Sequence, residues 1–176
     1  MSKEKLPEFD ERGCLPYGVY DPEIDDFKNI FVNTPRRKEL FKNLQKFLKL
    51  CIDAKGIESI YIGGSFTTDK AEPGDIDLLV IFTNELLYSS DKLSESAEII
   101  TDFIRVRQEY EIEAFYAKLL EDDDPDDVKQ YWSDMYNHMQ GMRRNLFLNR
   151  EKGIIDVKFK GAILFEKDDF SEVVGA

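Results

Sequence analysis

The sequence predicts an α/β (α+β) domain, a small mixed β-sheet flanked by helices. Three observations predict it. Two runs rich in apolar and β-branched residues, 57–62 and 75–82, lie on either side of a glycine-containing polar turn. A third run, Glu111 to Ala117, alternates polar and apolar residues and carries aromatics, as a half-buried strand does. Around these runs, apolar residues recur at helical spacing in three longer stretches. At 176 residues the chain is long enough for one core.

The elements follow in order. Residues 1–33 show little periodicity and are expected to form an N-terminal extension packed on the domain. Within them, Leu15-Pro16-Tyr17-Gly18-Val19-Tyr20 reads as a turn and loop. The domain proper is expected over 34–166. Thr34 can cap a helix whose first position suits Pro35. Leu40, Leu44, Phe47 and Cys51 form its apolar stripe, and Gly56 is placed to end it. The two strand runs come next and pair as a hairpin. A helix over roughly 91–108 is expected to bury Ala97, Ile100 and Ile104. The acidic run 121–127 reads as a solvated loop and helix start, with Asp124 as cap and Pro125 in the first turn. Val128, Trp132, Met135, Met139 and Met142 then make a core-facing stripe, with Arg143 and Arg144 near the helix end. Lys152-Gly153 opens a last pair of strands, 154–159 and 162–165. The residues after Glu166, 167–176, read as a polar, fraying tail.

Composition narrows the function. The chain carries 36 acidic and 24 basic residues, a net charge of −12. Such a surface disfavours a long nucleic acid as partner, because phosphate binding needs a basic face. Two cysteines, Cys14 and Cys51, supply neither a disulfide framework nor a zinc site, and His138 is the sole histidine. A metal here would be a hard cation held by carboxylates. The sequence lacks an apolar run long enough to span a membrane and has no apolar leader near its start, so a cytoplasmic protein is expected.

The chemistry lies in residues 61–80. A strand ends in Gly63-Gly64-Ser65, and Asp75-Ile76-Asp77 opens the next strand. Glycines let backbone N–H groups approach a phosphate, and a serine hydroxyl adds a donor. Asp75 and Asp77, two residues apart on a strand, are expected on one face. Paired carboxylates repel unless a cation lies between them. Mg²⁺ suits such carboxylates together with substrate phosphates.

Gly64-Ser65, a short spacer and Asp75-Ile76-Asp77 resemble the signature of the polymerase-β-like nucleotidyltransferase superfamily. The chain is similar to its minimal, single-domain bacterial members, most of all to an uncharacterised group of them. Pro35-Arg36-Arg37, Gly64-Ser65-Phe66, Thr68-Asp69-Lys70, Pro73-Gly74-Asp75-Ile76-Asp77 and Lys152-Gly153-Ile154 match that group's pattern across 15–157. The resemblance implies the nucleotidyltransferase fold. It implies transfer of a nucleoside monophosphate from a nucleoside triphosphate, ATP foremost, to a hydroxyl of a protein or small molecule. It further implies triphosphate binding by Gly63, Gly64, Ser65 and Lys70, and two Mg²⁺ ions on Asp75 and Asp77. A protein partner in a toxin–antitoxin or defence pair is implied too, and an exposed sheet edge would allow a homodimer. Antibiotic nucleotidyltransferases resemble the chain less, since they usually need a further helical domain.

Such enzymes add a third carboxylate, usually aspartate, on a neighbouring strand. Here Glu113 best matches that position, and Glu111 and Asp156 are the alternatives. Arg143, Arg144 and Lys152 would serve either phosphate or the helix end. The departure from aspartate leaves a second expectation open, a binding or regulatory protein that keeps the fold without turnover.

Overall fold

A computed structural model describes residues 3–88, 94–143 and 160–176. The architecture is mixed α+β. Among the described residues one five-stranded sheet runs in the order β1-β5-β2-β3-β4. Its strands are β1 (Val19–Tyr20), β2 (Ile57–Gly63), β3 (Ile76–Phe82), β4 (Ile112–Lys118) and β5 (Ala162–Glu166). β2 and β3 form the expected antiparallel hairpin, and β4 lies parallel to β3. β5 runs antiparallel to β2, and β1 pairs parallel with β5 at the edge.

The sheet separates two cores. Even-numbered residues of the central strands, such as Ile60, Ile62, Leu78 and Val80, face α1 (Ile24–Phe31) and α2 (Pro35–Ala54). Odd-numbered residues, such as Tyr61, Leu79 and Ile81, face Trp132 and Tyr136 of α6 (Pro125–Arg143). β3 is buried along almost its whole length, which explains its unbroken apolar run.

The helices follow from local chemistry. The Thr34 hydroxyl accepts from the Arg37 N–H at 3.2 Å, with Pro35 at the first helical position. α2 ends one residue earlier than the glycine suggests. Lys55 takes the cap with φ 61°, and Gly56 follows at φ 69°.

Four expectations require correction. The helix over 91–108 is broken, within the described residues, into α4 (Glu95–Thr101) and α5 (Phe103–Tyr110). Asp102 leaves helical geometry and its carboxylate caps α5 through the Arg105 N–H, so Ile104 is turned out and exposed. The tail is not frayed. After a 3₁₀ turn at Lys167–Asp169, α7 (Phe170–Gly175) buries Phe170 and Val173 in the main core. The Gln45 amide of α2 donates to the carbonyls of Val173, Val174 and Ala176, taking up orphan acceptors at the end of α7. Residues 15–20 are not only a turn and loop, since Val19 and Tyr20 form β1. Asp75 does not open a strand. It lies in a bend just before β3.

The expected strand 154–159 lies outside the described residues. Among the described residues no helix is long and apolar enough to cross a membrane. Cys14 and Cys51 are free and buried.

Candidate functional site

The hairpin register builds the site. Gly63, the last residue of β2, is the partner of Asp77. Asp77 is in turn the partner of Glu113 on β4. Three neighbouring strands therefore present Gly63, Asp77 and Glu113 side by side on the α6 face. Period-2 alternation places all three with Leu79 and Ile81 rather than with the main core.

The polypeptide reverses sharply beside this row. Gly64 has φ +66°, a conformation open to glycine at little cost. A Cβ there would stand 1.7 Å from Asp77 Oδ2, so the turn lies directly against the carboxylate. A Cβ on Gly63 would stand 2.6 Å from the Tyr136 ring. Both glycines are required by close approach: one to the aspartate, one to α6.

Asp77 is fully buried. Its Oδ1 accepts from Gln140 Nε2 at 3.0 Å, and the same amide nitrogen donates to the Tyr136 hydroxyl at 3.2 Å. α6 thus reaches the site at its C-terminal end. The side chain of Glu113 is 13% exposed and lies 3.6 Å from Arg107 Nη1. Two carboxylates so placed repel each other, and a divalent cation between or beside them offsets that repulsion.

Two adjacent arginines hold the turn and its spacer. Arg37 is 2% exposed. Its guanidinium donates to the carbonyls of Phe31, Phe66, Thr68 and Lys70, and lies over the Phe66 ring. Burial pushes the Arg37 pKa down. Arg36 donates to the carbonyls of Pro73 and Gly74 and forms an ion pair with Glu111 at 2.7 Å. One arginine therefore fixes the beginning of the spacer and the other its end. The two arginines belong to the Pro35-Arg36-Arg37 motif, whose role is not apparent from the sequence alone. The available signal was electrostatic: two cations in a first helical turn oppose the macrodipole, so they must have partners elsewhere.

The remaining sequence-predicted residues fall as follows. Ser65 is half-buried, and its carbonyl accepts from the Thr68 hydroxyl at 2.8 Å. Lys70 is exposed; its carbonyl accepts from Arg37 and its N–H donates to the Thr68 hydroxyl. Asp75 is half-buried in its bend. Glu111 is removed from candidacy by its partners. It caps α5 at φ 53°, and Arg36 and Asn43 take up its carboxylate. Arg36 holds that carboxyl below its ordinary pKa. Asp156, Arg144 and Lys152 lie outside the described residues. Among the described residues no group of three or more His, Cys, Asp or Glu side chains is placed to hold a metal ion, so Asp75, Asp77 and Glu113 do not form a closed cage. Gln140 and Tyr136 were missed, because nothing in the helical stripe distinguishes their role from packing.

A model of a family of unknown function (DUF6932) matches residues 7–158. No curated protein matches the chain. Among solved structures, one chain of a complex described as tri-AMPylated Shewanella oneidensis HEPN toxin with MNT antitoxin is similar to it. The identity is 20%, the TM-score 0.28, and the match spans 59% of this chain and 92% of that one. A likeness at this level carries no argument about fold or activity.

Proposed function

The chain belongs to DUF6932, a family of unknown function, and we propose that it is a Mg²⁺-dependent nucleotidyltransferase. It would transfer a nucleoside monophosphate from a triphosphate, ATP foremost, to a hydroxyl of a protein or small-molecule acceptor. One observation carries this reading. Asp77 and Glu113 are in register on adjacent parallel strands, and the positive-φ turn at Gly64 packs against Asp77. The donor set suits Mg²⁺ held by one or two carboxylates with phosphate and water completing the shell, rather than by protein alone. When bound, the metal would neutralise charge on the phosphates. Asp77 and Glu113 would hold it, and backbone N–H groups of the Gly64-Ser65 turn would orient the triphosphate. The acidic surface favours a protein or small-molecule acceptor over a long nucleic acid.

A second reading is a protein of the same fold that binds nucleotide or a partner without turnover. It is favoured by the burial of Asp77 under Gln140 and by the glutamate at position 113.

Thermal melting with ATP, GTP, CTP and UTP, with and without Mg²⁺, tests the donor site without any acceptor. A triphosphate at a hundred times its Kd stabilises the fold by about 2.7 kcal/mol. A Mg²⁺-dependent rise with one triphosphate, absent in Asp77→Ala, supports the proposal. No rise with any of the four at millimolar concentration sinks it. A rise without nucleotidyl transfer to any acceptor favours the second reading.

A further inference from the structure

Asp77, the central carboxylate of the proposed site, is sealed: none of its surface is open to solvent. Among the described residues, two neighbours close over it. The Gly64 turn packs against Oδ2 from one side. The Gln140 amide of α6 donates to Oδ1 at 3.0 Å from the other. A cation reaches Asp77 only if one of the two withdraws.

The two neighbours differ in how firmly they are held. The Gly64 turn belongs to the β2–β3 hairpin, and the two arginines tie down the spacer behind it through the carbonyls of Phe66, Thr68, Lys70, Pro73 and Gly74. Gln140 stands in the last turn of α6 and reaches Asp77 on a flexible side chain. Its amide nitrogen has two acceptors, Asp77 and the Tyr136 hydroxyl. Its amide oxygen is buried and accepts from no described residue. A buried acceptor left without a donor costs free energy, whereas water would satisfy both ends of the amide. A side chain that only packs or caps normally has its buried polar atoms satisfied. The closed position is thus the less favourable one for Gln140 itself.

We propose that Gln140 is a latch. Its amide covers Asp77 in the metal-free protein and gives way when a divalent cation is taken up by Asp77 and Glu113. The latch rests on the metal-nucleotide reading of that pair. Asp77 and Glu113 share the α6 face, so the amide covers Asp77 from the side on which Glu113 also lies. A neutral N–H is a weak match for a carboxylate beside a second carboxylate, and a divalent cation outcompetes it. Gly63 is part of the device. A Cβ there would meet the Tyr136 ring at 2.6 Å, so glycine lets α6 close far enough for Gln140 to reach. The burial of Asp77 is then a property of the resting state.

Mn²⁺ binding to the full chain is measured by electron paramagnetic resonance with a non-hydrolysable triphosphate analogue, for the wild type, Gln140→Ala and Gln140→Met. Methionine keeps the bulk and removes the donor. Both variants are expected to bind Mn²⁺ roughly tenfold more tightly, as loss of a competing hydrogen bond to a charged group allows. A second readout follows the latch itself. The Gln140 side-chain amide, identified in ¹H–¹⁵N spectra by its loss from Gln140→Ala, is expected to shift as Mg²⁺ and the analogue are added to the wild type. A merely structural Gln140 would lower the urea midpoint on substitution and leave Mn²⁺ affinity unmoved. Wild-type binding that either variant leaves equal or weakens overturns the latch and leaves the metal site standing, as does an amide resonance unmoved by Mg²⁺. Absence of Mn²⁺ binding in all three proteins overturns the metal reading, and the latch with it.

Discussion

Asp77 and Glu113 are register partners on adjacent parallel strands, one fully buried and the other 13% exposed. Folding places two carboxylates together where apolar pairs would pack better. Such an arrangement costs stability and is retained where function requires it. Asp77→Asn keeps the acceptor for Gln140 and removes the charge. It is expected to raise metal-free stability by about 1 kcal/mol while abolishing any Mg²⁺-triphosphate response. Urea denaturation with and without ligand measures both. A variant less stable than the wild type would show that Asp77 is a structural residue with partners strong enough to offset its burial.

Arg37 fixes the spacer from inside. Replacing it with Ala leaves the buried carbonyls of Phe31, Phe66 and Thr68, and the part-buried carbonyl of Lys70, without their donor. The expected loss is about 3–5 kcal/mol, read as a fall in the urea midpoint. Arg37→Lys recovers less than half of it, because an ammonium cannot span carbonyls arranged for a planar fork.

Gly64→Ala is expected to cost at least about 2 kcal/mol. The residue has positive φ, and the new Cβ would lie within 1.7 Å of Asp77 Oδ2. Gly74→Ala is the control, since a Cβ there meets nothing within 4 Å. Equal effects of the two substitutions would show that the turn does not depend on contact with Asp77.

Much of this fold is legible in the sequence, for physical reasons. The runs that became β2 and β3 are rich in apolar residues, that of β4 alternates polar and apolar, and Gly63-Gly64 follows the first of them as the turn. The Thr34-Pro35 start of α2 is a local signal that tertiary contacts do not override. What escapes is non-local. β1 has two residues and exists only because β5 pairs with it. α7 looks polar until Phe170 and Val173 meet the main core. The break at Asp102 turns on one carboxylate choosing a cap over a continuing helix. At the site, the sequence pairs Asp77 with Asp75 and offers Glu113 as one of three candidates for a third carboxylate; the register of β3 and β4 sets Glu113 beside Asp77. The partners that exclude Glu111 are not legible in the sequence, because Arg36 is 75 residues away.

The Arg36–Glu111 pair makes a pH prediction. Glu111 has its pKa lowered in the folded state by Arg36. Its contribution to stability is therefore complete above the carboxyl's unfolded pKa of about 4.5 and is lost as pH falls through the lower folded value. Glu111→Gln is expected to flatten the acid limb of the stability curve and leave stability near neutral pH only slightly reduced, because the pair is partly exposed. Melting midpoints between pH 3 and 7 check this. An unchanged acid limb would mean that the pair does not contribute.

The most direct test of the central claim is Mn²⁺ binding by electron paramagnetic resonance, with a non-hydrolysable triphosphate analogue present. The wild type, Glu113→Gln and Glu111→Gln are compared. The predicted result is triphosphate-dependent Mn²⁺ binding that Glu113→Gln weakens at least about tenfold and Glu111→Gln leaves within about twofold, because only Glu113 lies in register with Asp77. Absence of triphosphate-dependent binding in the wild type, or equal binding by all three proteins, would contradict the assignment of Asp77 and Glu113 as a metal-nucleotide site.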